Sequence, residues 1–111
     1  MKRDIELVRL ILLELEKTDE DDIQNMKIDG YSPEDIKYNA KLLYQKNMID
    51  SYSKDITGAY YIGNLTWDGS NFLDKIRDNS NWAKIKAFIK EKALPLSIDT
   101  VINVALKLFL G

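Results

Sequence analysis

The spacing of hydrophobic residues divides the chain into helical and extended segments. From Asp4 to Lys17, apolar residues recur at intervals of three and four, which is typical of an amphipathic helix. Further leucines widen this stripe, so we expect the rest of the protein to cover the helix on more than one side. The stripe consists of Ile5, Val8, Ile11, Leu12 and Leu15, widened by Leu7, Leu10 and Leu13.

A helix with a β-hairpin directly after it is predicted in the middle of the chain. The run Ser32-Pro33-Glu34-Asp35 marks a helix start, because Ser caps the helix, Pro suits its first position and acids suit its first turn. Helical spacing continues to Met48. Residues 49–56 and 59–65 are rich in Ile, Tyr and Thr, and Gly58 lies between them, so two strands and a turn are expected.

The remaining elements follow from caps and turn signals. Thr66 is expected to cap a third helix, and residues 78–81 break the chain before a helix that begins at Trp82. Ser97 is expected to cap the last helix, and a short strand is predicted from Ile23 to Ile28. Asn47 is the predicted left-handed residue at the end of the second helix.

A helix followed by a two-stranded wing is the second half of a winged helix-turn-helix. The predicted fold class is therefore α+β, with a winged helix-turn-helix core, a β-hairpin wing and two additional C-terminal helices. The 111 residues suit a single core. We place the winged-helix domain at residues 1–78, and a C-terminal helical extension packed on the same domain at residues 79–111.

Two missing residue types narrow the candidate chemistry. The chain has no Cys and no His, which excludes disulfides, thiolate metal sites and nucleophile–histidine pairs. Four consecutive acids at residues 19–22 favour a solvated connector, with a metal site or a basic partner as the alternative. No apolar run approaches the roughly 20 residues that cross a bilayer. We expect a cytoplasmic protein that is not an enzyme and holds no cofactor or metal.

Charge is distributed unevenly around a net charge of −2. Residues 1–36 hold five basic and eleven acidic side chains, whereas residues 74–92 hold six basic and three acidic ones. A basic face of the fourth helix can bind phosphate or an acidic partner, pair with the acidic half of a neighbouring copy, or simply be solvated. Its residues are Lys84, Lys86, Lys90 and Lys92.

Four segments carry a likeness to a known family. They are Met1–Arg9, Gly30-Tyr31-Ser32, the run from Leu65-Thr66-Trp67-Asp68-Gly69 through Phe72-Leu73-Asp74-Lys75-Ile76-Arg77-Asp78, and Trp82-Ala83-Lys84. In this order they resemble a family of small bacterial and phage proteins catalogued as a domain of unknown function. The resemblance implies a winged-helix-like core, frequent carriage on prophages and no assigned functional residue. Where members carry His and Gly, this chain has Asn39 and Asn47.

The outward face of the helix before the wing predicts a surface that binds double-stranded DNA, as in a transcriptional regulator. In a winged helix this helix enters the major groove and the wing touches the backbone or the minor groove. Lys suits phosphate or guanine, Gln suits adenine and Tyr suits phosphate. Glu34 and Asp35 in the first turn oppose this hypothesis. The predicted contact residues are Lys37, Tyr38, Lys41, Tyr44 and Gln45 on the helix and Lys54 on the wing.

An adaptor or inhibitor that binds a host protein on the same scaffold, without DNA, is the alternative. The six Tyr and two Trp residues exceed what a small core needs, and both types are enriched at binding hot spots. The competing interpretation is that Trp67 and Trp82 seal the join between the wing and the C-terminal helices. The last helix either folds back on the protein or forms a homodimer through its apolar residues Leu106, Leu108, Phe109 and Leu110.

Overall fold

The computed structural model describes residues 3–18 and 21–109. Within these ranges the chain forms five helices and an antiparallel sheet with strand order β1-β3-β2, which confirms the α+β class. The elements are α1 (Ile5–Glu16), β1 (Ile23–Gln24), α2 (Pro33–Gln45), β2 (Tyr52–Lys54), β3 (Tyr60–Ile62), α3 (Trp67–Ile76), α4 (Asn79–Glu91) and α5 (Ile98–Leu108).

Helix α1 is the centre of the hydrophobic core. Leu7, Ile11 and Leu12 are fully buried, because α1 packs against α2 on one side and α3 on the other. The Asp4 side chain caps the helix by accepting hydrogen bonds from the first-turn backbone amides. The expectation that α1 is covered on more than one side is confirmed.

The hairpin follows α2 directly, and its ladder is shorter than predicted. Ser53 pairs with Tyr61 at the middle of β2 and β3, and the turn contains Gly58 at φ 93°. Beyond these strands, backbone amides still donate across the hairpin from Gly63 to Ser51 and from Asp50 to Asn64, each at 2.9 Å. An isolated bridge then joins Ile49 and Leu65. The strands are therefore confirmed in position, and their ends lie inside the predicted bounds.

The connection between α1 and α2 differs from a helix-turn-helix. That motif joins two helices by a turn of about three or four residues, whereas residues 17–32 here contain β1 and no helix among those described. Strand β1 stops at Gln24 rather than Ile28, because Asn25 has φ 50° and turns the chain out of the ladder. The winged-helix assignment stays a prediction.

The two C-terminal helices complete the same core. Helix α4 begins at Asn79, earlier than the predicted Trp82, because the Asp78 side chain accepts a hydrogen bond from the Asn81 amide at 2.9 Å. Helix α5 folds back onto α3 and α4, and its first half is buried there. The buried side chains of all five helices form one cluster. The domain boundary at residue 78 stays a prediction.

Trp82 connects α4 to α1. Its indole N–H donates to Glu6 at 3.0 Å, and the Arg9 guanidinium lies 5.6 Å from the ring centroid. Arg9 also donates to the carbonyl of Ile76 at 2.8 Å, at the end of α3. Lys86 donates to Glu6 at 2.7 Å. Burial alone would raise the pKa of Glu6, but the hydrogen bonds from Lys86 and Trp82 outweigh it and hold the pKa below its ordinary value.

A close backbone contact joins the end of α2 to the start of α3. Thr66 caps α3 by accepting from the Gly69 amide at 3.0 Å, and its own hydroxyl donates to the Asn47 carbonyl at 2.5 Å. Asn47 has φ 60°, as predicted. Gly69 lies so near Met48 that a Cβ at this position would stand 2.0 Å from the Met48 carbonyl oxygen. Only glycine fits here without moving the backbone.

We expect Gly69→Ala to lower the free energy of unfolding by about 3 kcal/mol, the upper end of typical overpacking costs, because the clashing atom belongs to the backbone. Urea denaturation followed by circular dichroism measures the change. Ser70→Ala, at an exposed position of the same helix, is the control and is expected to change stability by less than about 0.5 kcal/mol. Equal effects of the two substitutions would contradict the close contact.

The lowered pKa of Glu6 makes a prediction about pH. Ionised Glu6 stabilises the folded state above its unfolded pKa of about 4.3, and this contribution disappears as the pH falls through the lower folded value. Glu6→Gln should therefore destabilise the protein at pH 7 and have a diminishing effect toward pH 3, which thermal unfolding across this range measures. In a Lys86→Gln background, which lacks one donor, the effect of E6Q should be smaller.

Candidate functional site

A shallow groove on the surface lies between α2 and β2, and we call it the α2–β2 groove. Residues three and four apart share one face of a helix, so the side chains that line it from α2 form a continuous row. Strand β2 packs against this row and supplies the other wall. The groove is lined by Glu34, Lys37, Tyr38, Lys41, Tyr52 and Lys54, four of which are predicted contact residues.

The three lysines of the α2–β2 groove differ in their surroundings. Lys37 is mostly shielded, with its Nζ 3.4 Å from a Glu34 carboxylate oxygen and 5.3 Å from the centroid of the Tyr60 ring. Lys41 and Lys54 are exposed. Of the acidic side chains that the structure describes, none lies within ion-pair distance of Lys41 or Lys54. These two ammonium groups are therefore available to an anionic ligand.

Two hairpin tyrosines are associated with the groove, since Tyr52 lines it and the Tyr60 ring contacts Lys37. Burial, followed by the nearby Glu34 carboxylate, raises the pKa of Tyr52. Burial also raises the pKa of Tyr60, whose hydroxyl donates to the carbonyl of Met26. Both phenols thus stay protonated near neutral pH, so each keeps its O–H group as a hydrogen-bond donor. Tyr52 was not among the predicted contact residues, although its place within the predicted strand 49–56, just after the helix, was a usable signal.

The structure does not bring the last two predicted contact residues into this groove. Tyr44 and Gln45 are exposed near the C-terminal end of α2. Gln45 instead lines a hollow beside the start of α5, where Lys46 forms a 2.8 Å ion pair with Asp99. A ligand in the α2–β2 groove must extend along α2 to reach them.

Asp55 organises the tip of the hairpin. Its carboxylate accepts hydrogen bonds from the Thr57 amide at 2.9 Å, the Thr57 hydroxyl at 2.5 Å, the Ala59 amide at 3.1 Å and the Tyr61 hydroxyl at 3.0 Å. The bonds from Thr57 contribute most to holding the pKa of Asp55 below its ordinary value. The tip therefore has a defined shape, with the Ile56 side chain fully exposed.

The four lysines of the predicted basic face lie on two flanks of α4. At about 100° per residue, Lys86 and Lys90 lie on one side of the buried stripe, and Lys84 and Lys92 lie on the other. Lys86 pairs with Glu6 of the same chain rather than serving a neighbouring copy in this structure. The amines of Lys92 and of Lys107 on α5 lie 6.0 and 5.5 Å from the Phe88 ring centroid.

The two tryptophans have opposite environments. Trp82 is buried, but its polar partners are on α1 rather than on the wing. Trp67 is 82% exposed, so the interpretation that it seals a join with the C-terminal helices is wrong. It occupies the first position of α3, on the side opposite the buried residues Leu73 and Ile76.

Two further expectations concern ions and membranes. Among residues 3–18 and 21–109, no group of three or more acidic side chains is placed to hold a metal ion. Two acids of the predicted connector, Asp19 and Glu20, lie outside the described residues. Within the described part of the chain, no helix has the length and apolar character that crossing a membrane requires.

Comparisons with known proteins place this sequence among small proteins without an assigned activity. Residues 2–95 match the family described as "Hypothetical protein (DUF2513)". An uncharacterized protein of Haemophilus influenzae is 37% identical over 109 residues, which cover 95% of this chain and 92% of that protein. No solved structure matches the chain.

The bonds of Asp55 predict how the hairpin tip responds to mutation. We expect Asp55→Ala to speed hydrogen exchange at the Thr57 and Ala59 amides several-fold, because both lose their acceptor. Hydrogen exchange followed by NMR measures the two rates. Lys54→Ala, next to it on β2, removes no acceptor and is the control. Unchanged exchange in the Asp55 variant would show that the tip is ordered by other contacts.

Proposed function

We propose that this chain, which belongs to the DUF2513 family, binds double-stranded DNA through the α2–β2 groove as a winged-helix regulator. One observation carries the proposal: α2 and β2 bring Lys37, Lys41 and Lys54 together with Tyr38 and Tyr52 on one surface. Four of these five residues were predicted from the sequence as DNA contacts. Two features support the winged-helix assignment: the hairpin that follows α2, and the pairing of β1 with β3 of that hairpin.

Lys41 and Lys54 supply the first step of recognition. Each is exposed, and each is available to a phosphate, which is the main source of affinity for DNA. The Tyr52 phenol is a neutral donor that can bond a phosphate oxygen between them. In this arrangement α2 lies along the major groove and β2 follows the adjacent backbone.

The acidic residues near the groove limit the strength of binding. Glu34 is partly neutralised by Lys37 at 3.4 Å. Asp55 remains charged at the hairpin tip, and its oxygens are occupied by donors from its own loop. With a net charge of −2, the whole molecule supplies little non-specific attraction, so affinity depends on the local lysines and falls with salt.

The second candidate function is a protein-binding adaptor or inhibitor that does not use DNA. The 82% exposure of Trp67 is the observation that favours it, because an exposed Trp is a typical anchor of a protein interface. The two functions use different surfaces, since Trp67 is on α3 and the groove is on α2 and β2. The DNA proposal requires that the protein acts in the cytoplasm, as expected from the sequence.

Fluorescence anisotropy with a short mixed-sequence duplex tests DNA binding. At about 50 mM salt we expect a dissociation constant of about 10⁻⁵ M or tighter. Lys41→Gln combined with Lys54→Gln should weaken binding at least about tenfold and reduce the salt slope by about 0.9 for each phosphate contact that is lost.

The matched control is Lys84→Gln combined with Lys92→Gln. These exposed lysines lie outside the α2–β2 groove, and their replacement changes the net charge by the same amount. The control should retain wild-type affinity. Equal losses in the two double variants, or no binding by the wild-type chain at low salt, would refute the proposed use of the groove.

A further inference from the structure

The exposed side of α3 and the second half of α5 form another surface, which we call the α3–α5 face. Its hollow is lined by Met48, Asp68, Asn71, Phe72, Lys75, Ile102 and Leu106. No residue lines both this hollow and the α2–β2 groove. The two surfaces can therefore be altered and tested separately.

The α3–α5 face leaves unusually large apolar side chains in contact with water. Trp67 is 82% exposed and Leu106 is 45% exposed. Trp67 precedes Asp68 and lies one helical turn before Asn71, so it stands at the edge of the hollow. A buried Trp removes about 150–250 Å² of surface from water, so covering this one residue is a substantial driving force for association.

The charges along the hollow indicate what covers it. Asp68 and Lys75 both line it and are separated by seven residues of α3, or about 10.5 Å. This pattern is complementary to itself. If a two-fold axis crosses α3 between Asn71 and Phe72, Asp68 of each copy faces Lys75 of the other, and both ion pairs form together. An interface of this kind uses the same patch on both copies.

We propose that the α3–α5 face binds a second copy of this chain in a two-fold symmetric dimer. Antiparallel pairing of the two α3 helices places the Asp68–Lys75 pairs at the two ends of the contact. It also carries Trp67 of each copy to the far end of the hollow of the other copy. The α2–β2 groove stays uncovered, so the dimer offers two such grooves whether or not they bind DNA.

Sedimentation equilibrium of the full chain without DNA tests the dimer, over protein concentrations of about 10⁻⁶ to 10⁻³ M. We expect a monomer–dimer equilibrium in this range. Trp67→Ala should raise the dimer dissociation constant at least about tenfold, as expected for a hot-spot residue. Because Trp82 is buried, a blue shift of the tryptophan emission with concentration reports burial of Trp67.

Charge reversal provides a sharper version of the test. Asp68→Lys alone and Lys75→Asp alone each place like charges at both ends of the contact, so each variant should be monomeric. An equimolar mixture of the two single variants should form a heterodimer, because every facing pair is again of opposite sign. The double variant D68K/K75D should recover the homodimer. Lys84→Asp, on α4 outside the face, is the control and should dimerise normally.

Misfolding of a variant cannot imitate this pattern, since an unfolded chain is not rescued by mixing; circular dichroism verifies that each single variant is folded. A wild-type chain that stays monomeric up to about 10⁻³ M would overturn the proposal, even if the face captured a different protein. A dimer that tolerates both single reversals would also overturn it, because its interface would lie elsewhere. None of these results depends on whether the chain binds DNA.

Discussion

Burial of α1 is the constraint on which the other elements depend. The fully buried side chains of Leu7 and Ile11 lie where α2 packs from one side and α3 from the other. The first turn of α1 is tied to α2 as well, because the Asp4 amide donates to the buried Asn39 side chain at 3.0 Å. The polar side of α1 also holds α4, because the Trp82 indole N–H donates to Glu6. A single amphipathic helix therefore fixes the relative positions of three others.

The contact between Gly69 and the Met48 carbonyl sets the second geometric limit. It holds the end of α2 against the start of α3. The two ends of the hairpin that connects these helices must therefore lie close together. The two proposed surfaces follow from that arrangement. The first half of α2 and strand β2 form one groove, whereas Met48, just after α2, belongs to the hollow on the other surface. One close backbone contact thus separates the α2–β2 groove from the α3–α5 face.

Ion pairs within the chain join its acidic and basic segments. Arg77 forms paired hydrogen bonds with Glu16, which raise its pKa, and Lys86 pairs with Glu6. Both pairs join the acidic N-terminal segment to the basic C-terminal one. Exposed pairs of this kind contribute little to stability, but they decide which cations remain available. Lys41 and Lys54 are available because none of the described acidic side chains lies within ion-pair distance of either.

The sequence by itself determined the type and order of the helices and the hairpin. Caps such as Ser32 and the left-handed Asn47 act through bonds to residues a few positions away, and hydrophobic periodicity is equally local. It also determined the part of the site on α2, whose members share one helical face. Only the tertiary structure placed Lys54 beside Lys41 and left Trp67 in water. These outcomes depend on how distant elements pack, which local spacing does not encode.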